Sequence, residues 1–458
     1  METQIENKMG VMPVNSLLLK TGAPLIFSML IGALYNVVDS MFVARLGENA
    51  LTSVSLAFPI QSIVIACGSG IGVGISSNLS RFLGQGEKQK ANAAARNGLL
   101  VGGAIYIFFL LFGIWGINWF FKIQTDIAEI IEMGSNYLRI ISLLSFFQIF
   151  QIILERLLQS TGKSIYSMYT QVLGCIVNLI LDPIMIFGLF GFPAMGVTGA
   201  ALATMIGIFC GMVFALILNI TKNKEIAFLT KEKLLSLERT KEICTVGIPT
   251  VLMQSMSAIL SFGVNKILLS YSVTAAATFA IFFKLQTFVC MAIFGLNAAL
   301  IPIVAYNYGA KNLERIKKAI FLSGIYSTLI GIIGTILLFT LPETFLKMFD
   351  ATEKMLAIGI PAIKIMSISF LFAGLGIMVS YAFQGFGKGI ASLIISALRQ
   401  CIILLPLAWL LSKFWGVYGV WWSFLIAEAI TAVIAFIWLR IEERKLEEKL
   451  YHPVGNDV

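Results

Sequence analysis

Charged residues, histidine and paired cysteines are all scarce in this sequence of 458 residues. Only 12% of the residues are charged, against about 25% in a typical soluble domain, which excludes an ordinary soluble domain. The one histidine, His452, lies in the polar tail, and the six cysteines show no C-x-x-C spacing. The sequence therefore indicates neither a metal site nor a disulfide framework. It also offers no catalytic cluster, so we do not expect an enzyme.

Apolar residues are abundant instead, since they make up 58% of the chain and give a mean hydropathy of +0.90. A helix crosses a bilayer with about 20 consecutive apolar residues. The sequence predicts an all-α integral membrane protein with twelve transmembrane helices near 17–44, 51–80, 97–121, 133–158, 165–188, 197–220, 243–271, 275–306, 319–341, 359–384, 390–412 and 416–439.

Lysine and arginine lie mostly on one side of the predicted membrane. The termini and the loops on their side hold 23 of them, the opposite loops hold five, and five fall within the segments. Positive charges accumulate on the cytoplasmic side, so we expect a multi-pass protein of the cell membrane with both termini in the cytoplasm. This asymmetry accounts for the net charge of +9, and we infer no nucleic-acid partner from it.

The sequence repeats itself when it is shifted by 225 residues. Pro24 then aligns with Pro249, and the motif Gln-x-x-Gly-Lys at 159–163 aligns with the same motif at 384–388. Six crossings per half give both halves the same orientation, which predicts two six-helix bundles related by a parallel pseudo-two-fold repeat. Such repeats are typical of transporters whose halves rock about a central site. A structural repeat without a transport role is the alternative.

Charge and repeat together predict four regions. They are an N-terminal six-helix lobe at 1–221, a cytoplasmic linker loop rich in both charge signs at 222–242, a C-terminal six-helix lobe at 243–440 and a cytoplasmic tail at 441–458.

A polar stretch interrupts the fifth segment, where Asn178, Asp182 and Pro183 stand in an otherwise apolar run. Residues four apart share one face of a helix, and Pro183 removes a backbone hydrogen bond, which predicts a bend. Ionisable residues at bilayer depth are costly and usually functional. The alternative is that these residues only join helices through hydrogen bonds.

The embedded acids of the first half have no counterparts in the second. Asp39 aligns with Val264, and Asp182 aligns with Leu407. If the scaffold needed these acids for folding, duplication would be expected to keep them in both halves. Their presence in only one half favours a dedicated function. The second half instead embeds four cations and one acid, namely Lys266, Lys284, Lys364, Arg399 and Glu428.

Three stretches resemble the multidrug and toxic compound extrusion (MATE) family. They are Tyr-Asn-Val-Val-Asp at 35–39, Asn-Leu-Ile-Leu-Asp-Pro at 178–183 and Gly-Ala-Ala-Leu-Ala-Thr at 199–204. The resemblance covers the chain to about residue 441 and is nearest to the DinF and MepA-like branch. It implies a monomeric efflux antiporter that exports organic cations and amphipathic drugs by alternating access. Inward flow of protons or of Na⁺ would drive export, and protons are the expected ion; no further cofactor is expected.

The same resemblance implies an acidic cation site in the first-half lobe, which matches Asp39, Asn178, Asp182 and Thr204 here. Another branch uses acids of its second half, but segments seven and ten of this chain hold no Asp or Glu at the matching depths. The chemistry of paired carboxylates supports such a cation site, because two carboxylates in a poorly hydrated lobe can exchange protons near neutral pH. An unprotonated pair attracts a cation and a protonated pair does not. We expect the amide and the hydroxyl to hold the carboxylates or to coordinate Na⁺.

Aromatic and amide side chains within the segments are candidates to line a drug site, although an aromatic stripe at helical spacing is more often packing. The candidates are Tyr35, Asn36, Phe147, Phe150, Gln151, Phe282 and Gln286. A rival class is a flippase for lipid-linked precursors or oligosaccharides from the same superfamily. Such a flippase would need a strongly basic cavity, and the lysines of the second half keep this alternative open.

Overall fold

The computed structural model describes residues 7–227 and 236–451, and every regular element in these ranges is a helix. Ten helices are long and apolar enough to cross a bilayer, and two pairs of shorter helices, each bent by 46°, give twelve spans when each pair counts as one. The all-α membrane fold predicted from the sequence is confirmed. Residues 228–235 of the predicted linker and 452–458 of the tail, with His452, lie outside the described ranges.

The first half contains six spans with three short helices beside them. The helices are α1 (Lys8–Val11), α2 (Val14–Ala44), α3 (Glu48–Gly84), α4 (Lys88–Trp115), α5 (Ile117–Gln124), α6 (Ala128–Leu143), α7 (Ser145–Ser160), α8 (Ser164–Phe187), a 3₁₀ turn (Leu189–Gly191) and α9 (Gly196–Lys222). The pair α6 and α7 forms one bent span.

The second half follows the same order. Its helices are α10 (Leu237–Leu269), α11 (Val273–Gly309), α12 (Leu313–Thr340), α13 (Pro342–Lys347), α14 (Glu353–Ser367), α15 (Phe370–Gly385), α16 (Gly389–Ala397), a π turn (Leu398–Ile402), α17 (Leu404–Trp415) and α18 (Val417–Tyr451). The pair α14 and α15 forms the other bent span.

The repeat of 225 residues recurs in the helix boundaries. Both ends of α3, α4 and α7 correspond at this spacing to the ends of α11, α12 and α15. The Gln-x-x-Gly-Lys motif has the same structural role twice, since Gly162 and Gly387 adopt left-handed backbone angles with φ of 75° and 78°. Glycine adopts such angles without steric cost. The repeat read from the sequence is therefore a structural repeat as well.

Contacts divide the chain into two compact units. Unit 1 contains residues 1–26 and 252–458, and unit 2 contains residues 27–251. The first part of α2 therefore belongs to unit 1, and the first part of α10 belongs to unit 2. The lobe boundaries predicted from charge, at 221 and 243, both fall within unit 2 and stay a prediction.

Glycines on the long second and eighth spans explain this division. A Cβ atom on Gly70 of α3 would lie 2.6 Å from the carbonyl oxygen of Gly247 on α10, inside unit 2. A Cβ atom on Gly295 of α11 would lie 2.6 Å from Cα of Ile26 on α2, inside unit 1. Helices in membranes approach this closely where a side chain is missing. The two glycines are repeat-related, so the same close approach occurs once in each unit.

Candidate functional site

Helices α8 and α9 of unit 2 pack closely because glycines lie between them. A Cβ atom on Gly207 would lie 2.6 Å from the carbonyl oxygen of Gly174, and one on Gly199 would lie 2.4 Å from that of Met185. Small residues on one helix face allow this approach in membranes. On α9 they recur every four positions, as Gly199, Ala203, Gly207 and Gly211. The close contact brings the polar side chains of the two helices together.

Asn178, Asp182 and Thr204 form a buried hydrogen-bonded group. Nδ2 of Asn178 donates to Oδ1 of Asp182 at 3.1 Å and to Oγ1 of Thr204 at 3.3 Å. The three residues are 2%, 0% and 4% exposed. Three of the four residues predicted for the cation site are thus in contact.

Asp39 of α2 reaches the same group, because its carboxyl group lies within hydrogen-bonding range of that of Asp182. Among the described residues, Oδ1 of Asp39, Oδ2 of Asp182 and Oδ1 of Asn178 are buried without a hydrogen-bond partner. Buried polar atoms are normally satisfied, and two facing carboxylates repel each other unless a proton or a cation lies between them. The three oxygens are therefore suited to hold a proton or a small cation.

Two tyrosines surround the carboxylates. Tyr35, one turn before the α2 aspartate, has its hydroxyl within hydrogen-bonding range of Thr204. Tyr137 of α6 is 2% exposed, lies near both aspartates and hydrogen-bonds with Gln61 of α3. Neither Tyr137 nor Gln61 was predicted from the sequence to belong to the site. The sequence does contain one indication of Gln61, because an amide side chain stands in an apolar segment there and again at the repeat-related Gln286.

Helix α7 carries three of the candidate drug-lining residues. The ring of Phe147 contacts that of Phe209 with centroids 5.0 Å apart, and the ring of Phe150 stacks on a neighbouring phenylalanine at 4.1 Å. Nε2 of Gln151 donates to Oε1 of Glu155 at 3.1 Å, and Oγ1 of Thr170 donates to the same oxygen at 2.9 Å. Glu155 is thus a further hydrogen-bonded acid of unit 2, which the sequence analysis did not assign to the site.

The remaining candidates lie in different surroundings. Asn36 is exposed, and its Nδ2 donates to the carbonyl oxygen of Gly32 at 2.8 Å. Phe282 is fully buried in the core of unit 1, where its ring stacks on Phe370 with centroids 6.0 Å apart, so it is a packing residue in this structure. Oε1 of Gln286 is buried and has no hydrogen-bond partner in the described ranges. A drug-lining role of these residues stays a prediction.

The repeat-related part of unit 1 is apolar where unit 2 is acidic. Val264 is fully buried, and Leu407 packs against the same hydrophobic core. Helix α8 continues through Pro183 to Phe187 without interruption, so the predicted bend remains a prediction. The counterpart of α8 in unit 1 consists of α16 and α17, with the π turn between them. Arg399 of this turn lies beside Glu428, with Nε and Oε1 3.7 Å apart.

The sequence matches the model of a known protein family. The MatE family model matches residues 24–184 and 249–410, two segments whose starts are separated by the repeat length. The chain belongs to the MatE family. The two matched segments together contain both aspartates and the asparagine of the acidic group, as well as their apolar counterparts in the second half.

Relatives of this MatE chain include exporters from two staphylococci. The chain is 28% identical over 432 residues to the multidrug export protein MepA of Staphylococcus haemolyticus, with 93% of each chain covered. It is 27% identical over 426 residues to MepA of Staphylococcus aureus strain MRSA252, again with 93% of each covered.

Solved structures of MATE proteins share the fold. One, described as the outward-facing conformation of a multidrug resistance MATE family transporter of the MOP superfamily, superposes with a TM-score of 0.92 at 24% identity, over 98% of this chain and 100% of the other. Another, a MATE in complex with MaL6, gives a TM-score of 0.91 at 24% identity, over 97% and 100%.

Proposed function

We propose that this MatE chain is a multidrug efflux antiporter, which exports organic cations and amphipathic drugs in exchange for protons. The relatives named multidrug export protein MepA support the transport of several drugs. The proton coupling is proposed from one observation, the facing carboxyl groups of Asp39 and Asp182, each of which has one buried oxygen without a hydrogen-bond partner among the described residues. The two aspartates are the proton carriers of this proposal.

The proposed cycle depends on competition for the acidic group. Without protons, Asp39 and Asp182 repel each other, and a cationic drug near them is attracted. When protons bind from the outside, the pair loses its charge and the attraction to the drug ends. Nδ2 of Asn178 donates both to Asp182 on α8 and to Thr204 on α9, so a change of charge at Asp182 alters the contact between these two closely packed helices. Drug release outside and proton release inside then alternate.

The stoichiometry determines which gradient drives export. Exchange of one proton for one monovalent cation moves no net charge, so it uses only the pH gradient, which supports about a tenfold drug gradient per pH unit. Two carboxyl groups can carry two protons. In that case one net charge crosses per cycle, and the membrane potential adds roughly 2.3 kcal/mol per 100 mV.

Sodium is the other candidate coupling ion. Na⁺ binds oxygen ligands, and Asp39, Asp182 and Asn178 each supply a buried oxygen that has no hydrogen-bond partner in the described part of the chain. A proton and Na⁺ would therefore compete for the same atoms. We propose the proton because the two carboxyl groups already lie within hydrogen-bonding range of each other, and one proton suffices to join them.

Imposed gradients in proteoliposomes test the proposed function. A pH gradient is expected to drive uptake of ethidium into vesicles that contain the wild-type protein, whereas a Na⁺ gradient at equal pH should not. Uptake that responds to Na⁺ and ignores pH would reject the proton. Vesicles that move no organic cation under either gradient, but translocate a lipid-linked oligosaccharide, would favour the flippase alternative.

Orientation is tested by labelling single cysteines in a variant that lacks the six native ones. Lys122 and Lys224 are both exposed and lie on opposite sides of the predicted membrane. We expect a membrane-impermeant maleimide to label Lys122→Cys on intact cells and to leave Lys224→Cys unmodified until the cells are opened. The reverse pattern would place both termini outside.

A further inference from the structure

A cavity of about 640 Å³ is lined by residues of unit 1, and it shares no residue with the acidic group, which belongs to unit 2. Helices α12 and α18 form its two walls, and α15, on which α12 and α18 both pack, forms its floor. Gly324 of α12 keeps the groove deep, because a side chain at this position would extend over Leu375 and Met378. The groove is thus part of the fold of unit 1.

One part of this groove is apolar and faces outward. Phe321, Ile325 and Leu329 lie four residues apart on α12, so they form one stripe, and they are 66%, 40% and 47% exposed. Phe436 of α18 lies opposite and is 48% exposed. From Phe321 to Leu329 the stripe rises about 12 Å at 1.5 Å per residue, which is most of the ~15 Å of one leaflet of the hydrocarbon core. An acyl chain can lie along this length.

The other end of the groove is basic, with Lys317, Lys318 and Arg440 in its lining against one acid, Glu443. Nη1 of Arg440 donates to Oε2 of Glu443 at 3.1 Å, but the arginine side chain remains 59% exposed. Nζ of Lys317 pairs with Glu447 at 2.7 Å and remains 37% exposed. Arginine has five N–H donors and lysine three, so both cations keep donors for a further acceptor. The net charge of this end is positive.

We propose that this groove binds an anionic phospholipid, with the phosphate at Lys317, Lys318 and Arg440 and an acyl chain along the apolar stripe of α12. Basic pockets between transmembrane helices bind anionic headgroups. The three cations lie on the side of the membrane predicted to be cytoplasmic, where anionic lipids give the surface a negative potential. The proposal goes beyond drug export and does not depend on it, because lipid binding is measured without transport.

Lipid titration of the purified full-length protein in detergent, followed by native mass spectrometry, tests this site. We expect phosphatidylglycerol to bind about tenfold more tightly than phosphatidylcholine with the same acyl chains. The triple variant Lys317→Ala, Lys318→Ala, Arg440→Ala should weaken phosphatidylglycerol binding about tenfold or more, since each basic side chain near an anionic surface contributes about fivefold. Equal binding of the two lipids by the wild type would overturn the proposal.

Two further variants separate the groove from general surface charge. Gly324→Leu fills the groove and keeps the three cations; its Cβ would meet only the ends of flexible side chains, at 3.4 Å from Cε of Met378 and 3.7 Å from Cδ2 of Leu375. It should weaken phosphatidylglycerol binding too. The control Lys88→Ala, Lys222→Ala, Lys224→Ala removes three exposed lysines elsewhere and should bind as the wild type does. If the control loses as much affinity as the groove variants, the lipid is held by overall charge and the proposal is wrong.

Discussion

Replacing Asp182 or Asp39 by asparagine is expected to reduce ethidium efflux to that of cells without the transporter. Asparagine keeps the size of the side chain but has no negative charge, so it cannot take up and release a proton as a carboxylate does and does not attract a cationic drug by charge. In the proposed cycle each carboxyl group acts on the other across a hydrogen-bonding distance. Losing one of them removes the competition between drug and proton, and with it a gradient of about tenfold or more. Fluorescence of ethidium in energised cells measures this directly.

A matched control for these variants is Asp126→Asn. Asp126 is exposed and lies between α5 and α6, outside the spans, so the same chemical change there should leave efflux unchanged. All variants are compared at equal amounts of protein in the membrane. If Asp39→Asn and Asp182→Asn cells export ethidium as well as the wild type does, the acidic group is not the coupling site.

Gly207→Ala is expected to lower both stability and transport. Its Cβ atom would lie 2.6 Å from the carbonyl oxygen of Gly174 and 2.9 Å from Cβ of Asn178, so α8 and α9 must move apart. Overpacking of this kind costs about 1–3 kcal/mol. The same displacement lengthens the 3.3 Å bond between Asn178 and Thr204. We therefore expect a lower Tm in detergent together with the loss of most drug export.

The glycine on α4 at position 103 provides the comparison. A Cβ atom on Gly103 would have no heavy atom within 4 Å, so Gly103→Ala should leave Tm and export unchanged or raise Tm slightly, because alanine favours a helix. Equal Tm values for Gly207→Ala and the wild type would show that the close contact of α8 and α9 does not stabilise unit 2.

The spans and the repeat were predictable because both depend on local sequence. Apolar segments of bilayer length mark the helices, and the shift of 225 residues predicts the matching helix ends. The bends were not predicted, since no proline or charged residue marks Leu144 or Ser369, and the serines beside both points were not read as breaks. The structure shows a break of 46° at both places, which hydropathy does not record.

Which residues form each of the two units could not be predicted from the sequence either. The first part of α2 joins unit 1 through the contact between Ile26 and Gly295, and the first part of α10 joins unit 2 through Gly70 and Gly247. These contacts connect residues far apart in the chain. A single sequence shows the glycines but not which helix each of them approaches.

For the site, the acids could be found because charge within an apolar segment is rare. Asp182 and Asn178 are four residues apart, and Thr204 belongs to a stretch that resembles the family, so these residues were identified. Tyr137 was missed because a tyrosine is common in membrane helices and its role follows from packing. Only the structure places it beside both aspartates.

Proton release from the purified protein tests the central claim most directly. Tetraphenylphosphonium is added to the wild-type protein in weakly buffered detergent solution that contains a pH indicator. Our account predicts that binding of the cation releases protons from the wild type. The double variant Asp39→Asn, Asp182→Asn should release none. Binding of the cation to the wild type without any proton release would contradict the account.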